Sequence, residues 1–174
     1  MVMNFDNLII REATLKDIPE VARLHVNSWN KTYNGIIDQD YLNNIKNNID
    51  KRIERMNNEF NLRKMIVAVL NDEIVAFSEF TLTNEFSKDL DIDCELCGLY
   101  VKNEYLGKGI GSKVFDYVKS MFIENNKQKM GLWCVKENNN AINFYIRKGG
   151  IQAKEKPFTL VGKDYSELAF IYNL

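Results

Sequence analysis

The sequence predicts an α/β (α+β) domain in which one mixed sheet is covered by helices on both faces. Three observations carry this. Helical periods crowd the first third of the chain, strand-like periods follow, and strands then alternate with helices to the end. The 174 residues suit one domain at about 150 residues apiece, with 1–174 read as a single unit. Hydrophobic residues at 45% and charged residues at 27% are ordinary for a globular chain and argue against disordered, collagen-like and membrane-spanning classes.

The elements follow in order. A short strand, Leu8 to Ile10, precedes a helix beginning at Thr14, whose hydroxyl can cap it while Asp17 favours its first turn. Ile18, Val21, Ala22, Leu24 and Trp29 recur there at helical spacing. Asn34-Gly35 breaks the pattern, Asp38 caps a helix carrying Tyr41, Leu42 and Ile45, and Ile49 to Met56 forms a third, charged and amphipathic helix. The period then becomes that of a strand: Met65 to Leu70 and Ile74 to Thr83 flank Asn71-Asp72 as a hairpin. The loop Asn84 to Lys88 leads to a strand over roughly Asp91 to Val101. Gly107, Gly109 and Gly111 open a helix that runs to about Asn125. Met130 to Val135 is a strand and Asn140 to Lys148 a helix. Gln152 to Leu160 and Ser166 to Tyr172 are final strands about the turn at Gly162 to Asp164, giving six or seven strands in all.

Charge and composition exclude several functions. With 23 Lys plus Arg against 24 Asp plus Glu, nothing suggests the clustered cations that bind nucleic acid. One histidine excludes a His-rich metal centre, and no metal is expected. Cys94, Cys97 and Cys134 are too few for a disulfide framework, and Cys94 and Cys97, three apart on a strand, would face opposite sides of the sheet. The longest apolar runs are about six residues against the roughly 20 of a membrane span. Met1 to Ile10 lacks the basic start and apolar run of a leader, so the expected setting is a reducing cytoplasm without membrane or nucleic-acid partners.

The most informative segment is Leu99 to Val114, where a strand enters a loop of alternate glycines that opens a helix. Glycines permit positive φ and close backbone approach, and a helix start presents unpaired N–H groups to phosphate. The loop is either a pyrophosphate cradle or a tight turn without a ligand. It is not a P-loop, since Ser112 precedes Lys113, and it is not a dinucleotide fingerprint, since Ser112 holds the third glycine's place.

The glycine loop Leu106-Gly107-Lys108-Gly109-Ile110-Gly111, followed by a strand, Asn138-x-x-Ala141-x-x-Phe144-Tyr145 and Gly149, resembles the GCN5-related N-acetyltransferase (GNAT) superfamily over nearly all of the chain. Leu106 replaces the usual Arg or Gln of the acyl-CoA motif, and Gly150 stands where Phe is usual. The resemblance implies a mostly antiparallel sheet with a splayed strand pair and acetyl-CoA as cofactor. Leu99, Tyr100 and Val101 would pair with its pantetheine arm, backbone N–H groups near Tyr100 and Val101 would face the thioester oxygen, and Leu106 to Ser112 would hold the pyrophosphate. Asn138, Ala141 and Tyr145 would complete the cofactor site, although Asn138 is equally suited to cap the next helix. Trp29-x-x-x-Tyr33-x-Gly35-Ile36 resembles a subgroup whose first two helices build the acceptor site, so Trp29 and Tyr33 are either acceptor walls or core residues.

The implied reaction is direct attack of a primary amine of a small molecule or peptide on acetyl-CoA. Holding an alkylamine neutral at pH 7, about 3.4 units below its pKa, costs roughly 4.6 kcal/mol, so a base is useful. Glu95 is the candidate base, since even spacing would set it with Cys97, Leu99 and Val101 on one strand face; alternatively it is a paired acid. Tyr145 is the candidate acid for the leaving thiolate, or simply a core aromatic. His25, although near the acceptor side, reads as structural. Asp89, Asp91, Asp93 and Glu95 alternate and could form a negative track for a cationic acceptor such as a polyamine. The alternative function is a non-catalytic acyl-CoA-binding module. Edge strands at the carboxyl end suggest a homodimer.

Overall fold

The computed structural model describes residue 5 and residues 7–174. Part of the amino-terminal segment read above as carrying no leader lies outside the described residues. Strands β1 (Ile9–Glu12), β2 (Lys64–Leu70), β3 (Glu73–Thr81), β4 (Cys94–Val101), β5 (Lys129–Val135), β6 (Ile151–Leu160) and β7 (Lys163–Asn173) form one sheet in the order β1-β2-β3-β4-β5-β7-β6. Only β4 and β5 run parallel; the other neighbours are antiparallel. The mostly antiparallel sheet is thus as expected, and none of the helices among the described residues is long and apolar enough to cross a membrane.

Helices α1 (Ile18–Thr32), α2 (Gln39–Asn47) and α3 (Ile49–Asn58) lie on one side, α4 (Ile110–Glu124) and α5 (Asn139–Arg147) on the other. Ile18, Val21, Ala22 and Leu24 of α1 and Met56 of α3 close over Met65, Val67, Ile74 and Phe77. Ile110, Val114, Phe115, Val118 and Phe122 of α4 pack on Ile66, Ala68, Phe80, Leu96 and Met130. Burial on both faces explains why β2 and β3 read as nearly continuous apolar runs.

Local chemistry sets the boundaries. The first helix starts as a single 3₁₀ turn, Leu15–Asp17, in which Thr14 and Asp17 form a reciprocal capping box, and Pro19 then sits in the first turn of α1. Asp38 caps α2 by accepting from the Tyr41 N–H at 3.0 Å, as the sequence suggests.

Two expectations about β4 are corrected. The strand starts at Cys94 rather than Asp91, because the Asp93 carboxylate turns away to accept the Gln128 and Lys129 backbone N–H groups, each at 2.9 Å. Cys97 forms a bulge: Glu79 pairs with Gly98 but Phe80 with Leu96. The extra residue reverses the alternation. Cys94, Leu96, Leu99 and Val101 therefore face α4, whereas Glu95, opposite Thr81, shares the α1 face with Tyr100, so Glu95, Leu99 and Val101 do not lie on one face.

Candidate active site

β4 and β5 pair only at Cys94 with Met130 and Glu95 with Gly131; beyond these, β4 pairs with β3 alone and β5 with β7 alone. The sheet is split there, as a splayed pair requires. The Lys102 N–H donates to the Val75 carbonyl at 2.8 Å, so antiparallel alternation aims the Tyr100 N–H at β3 and those of Leu99 and Val101 into the split. Of the N–H groups near Tyr100 and Val101, those of Leu99 and Val101 therefore point into the split and that of Tyr100 does not.

At the wide end of the split, Gly107 and Gly109 have φ of +72° and +88°, with no atom within 4 Å of where a Cβ would stand. Gly109 is the N-cap of α4, so the N–H groups of Ile110, Gly111 and Ser112 lack intrahelical acceptors. Leu106 is exposed and its N–H donates to Asn103 at 3.2 Å, so it adds no N–H group to this cradle.

Across the split, α5 places Tyr145 among Phe115, Phe144 and Phe170. Burial pushes its hydroxyl well above the usual tyrosine range, and Cys134, Tyr172, Tyr100 and Tyr33 raise it further. Asn138 caps α5 by accepting the Ala141 N–H at 3.2 Å, and burial pushes the Tyr33 hydroxyl well above the usual tyrosine range, with Asn138 opposing the rise. Trp29 donates its indole N–H to the Tyr100 hydroxyl at 3.3 Å and meets the Tyr33 ring edge-on at 4.8 Å. Burial pushes the Tyr100 hydroxyl up to about 12. Trp29, Tyr33 and Tyr100 are thus in mutual contact through Trp29, while Tyr145 and Ala141 belong to the α4-side core.

Glu95 stands where the split closes. It is 5% exposed, and burial lifts its carboxyl above the ordinary range, opposed by the Ser87 hydroxyl and the charge of Arg63. Among the described residues its Oε2 has no hydrogen-bond partner.

The acetyltransferase (GNAT) family matches residues 23–150. The chain belongs to that family. As a GNAT acetyltransferase its cofactor is acetyl-CoA. The uncharacterized N-acetyltransferase YuaI of Bacillus subtilis is 29% identical over 162 residues, covering 91% of this chain and 89% of that protein. Spermidine N(1)-acetyltransferase of Thermoplasma acidophilum is 25% identical over 144 residues, covering 80% and 86%. The crystal structure of PaiA N-acetyltransferase from Thermoplasma acidophilum with coenzyme A has the same fold, with a TM-score of 0.69 and 19% identity over 96% of this chain and 99% of that one.

The GNAT acetyltransferase's own residues fit the cofactor: the β4 edge offers unpaired backbone groups, and the glycine cradle has open space where side chains would intrude. Gly150 also finds its reason. A Cβ there would lie 2.6 Å from the Tyr172 hydroxyl, which donates to the Tyr145 carbonyl at 3.0 Å and occupies the space.

Two residues escape the sequence reading. Gly98 admits the Tyr100 ring, since a Cβ at Gly98 would stand 2.7 Å from Tyr100 Cε2; a glycine inside a strand was the available signal. Ser87, fully buried, accepts the Trp133 indole N–H at 2.9 Å and opposes the rise of the Glu95 pKa. Nothing local in the sequence marks it. The negative track is corrected: Asp89 pairs with Lys154 at 2.8 Å, Asp91 with Lys129, and Asp93 with backbone N–H groups, leaving only Glu95 at the split.

Proposed function

We propose that this acetyltransferase transfers the acetyl group of acetyl-CoA to a primary amine of a small molecule or peptide by direct attack in a ternary complex. The observation that supports it most is the split sheet with a buried carboxylate at its closed end and a buried tyrosine on its far side. Acetyl-CoA supplies an acetyl thioester, whose carbonyl the amine attacks with release of coenzyme A. Leu99, Tyr100 and Val101 flank the pantetheine arm, and the Leu99 and Val101 N–H groups are the donors available to negative charge developing on the thioester oxygen. Gly107 to Ser112 hold the pyrophosphate, with Leu106 at the loop's entry.

Glu95 removes a proton from the acceptor's ammonium, directly or through one water, and the neutral amine so formed attacks the thioester carbonyl. Its raised pKa moves it toward the working pH, where a base is both ionised and strong enough to act. Tyr145 keeps its proton because burial opposes the phenolate, so the hydroxyl can donate to the leaving sulfur. Asn138 caps α5 beside the cofactor site, and Trp29 and Tyr33, in edge-on contact, wall the acceptor side.

Direct attack is favoured over a cysteine-bound acyl group, since burial pushes the Cys97 and Cys134 thiols up to about 12 and keeps both protonated. A polycation, as named for the Thermoplasma relative, would need uncommitted acids at its entry, and Asp89, Asp91 and Asp93 are committed elsewhere.

The test is thiol release from acetyl-CoA with a panel of polyamines, amino acids, aminoglycosides and peptide amino termini. Turnover with at least one amine is expected, with Tyr145→Phe lowering kcat by about 10-fold or more while acetyl-CoA affinity stays within about twofold. Thermal stabilisation by acetyl-CoA without turnover on any amine would instead make the chain a binding module.

A further inference from the structure

A second cavity, of about 190 Å³, lies between α1, α2 and α3 on the acceptor side. Lys51, Arg52 and Arg55 line it together with His25, Trp29 and Tyr41, and no acidic residue does. Arg55 bonds Glu59 at 2.9 Å, but none of the ion pairs among the described residues uses Lys51 or Arg52. Arg52 instead donates through Nη2 to His25 Nε2 at 3.4 Å. A guanidinium has no acceptor, so His25 carries its proton on Nδ1.

The inventory is then unusual. His25 is 8% exposed, and both its Nδ1 and the Arg52 Nε are buried without a hydrogen-bond partner among the described residues. Buried donors left unsatisfied are costly, and a planar guanidinium fork suits a carboxylate or phosphate. Glu79, an acid on which the Arg52 charge acts, is already engaged by Arg63 at 3.6 Å.

The cavity adjoins the reaction site through shared side chains. Trp29 lines it and also donates to the Tyr100 hydroxyl, and the His25 ring stands 4.8 Å from that of Tyr100. We propose that this cavity receives an anionic group of the acceptor, so that the preferred substrate is an amine that also carries a carboxylate or a phosphate. The inference rests on the acetyl-transfer reading above and names the acceptor's chemical class. Lys51, Arg52 and Arg55 are its specificity determinants, acting on binding rather than on bond making. The same charges disfavour spermidine.

Matched pairs test it: cadaverine against lysine for a carboxylate, and ethanolamine against phosphoethanolamine for a phosphate. At least one anionic member is expected to exceed its partner in kcat/KM by about tenfold or more, mostly through KM, the scale of one charge-assisted contact. Arg52→Gln and the exposed Lys51→Gln should each reduce that preference, while turnover of the partner lacking the anionic group stays within about threefold. The single histidine gives an independent readout. Glutarate or methylphosphonate, neither carrying an amine, should shift the His25 imidazole NMR signals of the wild type and not those of Arg52→Gln. Equal or better use of cadaverine and ethanolamine, with no His25 shift, overturns the inference and leaves acetyl transfer intact. A His25 shift abolished by Arg52→Gln, with no amine acetylated, upholds the anion site and overturns the proposed reaction.

Discussion

The two sides of the β4–β5 split are made of different material. Toward α4, the groups offered to the acyl donor are backbone: the N–H groups of Leu99 and Val101 and a cradle shaped by Gly107 and Gly109. Toward α1, the groups that would face the proposed acceptor are side chains drawn from five separate segments: His25 and Trp29, Arg52, Glu79, Ser87, and Glu95 with Tyr100. Backbone donors carry no record of side-chain identity, so one cofactor site can persist while the acceptor wall changes. Side-chain constellations lack that tolerance, and mutations on the two sides should separate cofactor affinity from chemistry and acceptor choice.

The largest expected break is at the closed end of the split. Glu95→Gln should lower kcat/KM for the amine by about 10²- to 10⁴-fold with acetyl-CoA affinity nearly unchanged. The wild-type rate should rise with pH through a limb placed above the ordinary carboxylate range, and the variant should lose that limb. Stability should move the opposite way. Because the folded-state pKa is raised, the folded chain binds this proton more tightly than the unfolded chain, so ionised Glu95 destabilises the fold as pH rises through that pKa. Glu95→Gln is therefore expected to melt at or above the wild-type temperature at pH 7 and to match it in acid, read by calorimetry at both pH values.

Gly150→Ala tests the packing beneath α5. The new Cβ would meet the Tyr172 hydroxyl at 2.6 Å and the Tyr145 carbonyl at 2.9 Å, both held in one hydrogen bond. Overpacking of this kind costs about 2–3 kcal/mol, visible in urea unfolding, and Phe, usual in the related motif, should cost more. An Ala variant as stable as the wild type would show that Tyr172 yields readily. Gly109→Ala sharpens the donor side. Space is open there, so its cost is backbone conformation alone, about 1–2 kcal/mol for φ of +88°. Its kinetic effect should fall on the KM for acetyl-CoA and spare that for the amine.

This contrast also explains what the sequence made legible. Gly107, Gly109 and the caps at Asp38 and Asn138 are local requirements, so spacing marked the glycine loop and the helix starts, and the family resemblance gave the loop its expected ligand. Order and period together indicated a mixed sheet. The acceptor side was read less well because its contacts join segments far apart in sequence. Ser87 reaches Glu95 from a loop, and Arg52 meets His25 across 27 residues. The face of Glu95 was misassigned because one bulged residue, Cys97, reverses a period-two argument. The acids before β4 looked like a track because their partners, Lys129, Lys154 and the β5 backbone, come together only in the folded chain.

The smallest expected effect lies where α1 begins. Asp17 accepts from Thr14 N–H at 2.7 Å and from Arg11 of β1 at 2.8 and 2.9 Å, fixing the helix that carries His25, Trp29 and the acceptor wall. The hydrogen-bonded Arg11 guanidinium holds its carboxyl down to about 2, with Thr14 assisting against the cost of burial. A depressed folded-state pKa contributes stability that is fully present above the unfolded value, near 3.9, and is lost as pH falls through about 2. Asp17→Ala should therefore cost about 1 kcal/mol near neutral pH, the scale of a lost cap, and the deficit should shrink toward zero in acid. Because the change loosens α1 and not α4, the amine KM should rise while the acetyl-CoA KM holds. A parallel rise in both would mean that the two sides of the split move as one body, and that their difference in material does not make them mechanically independent.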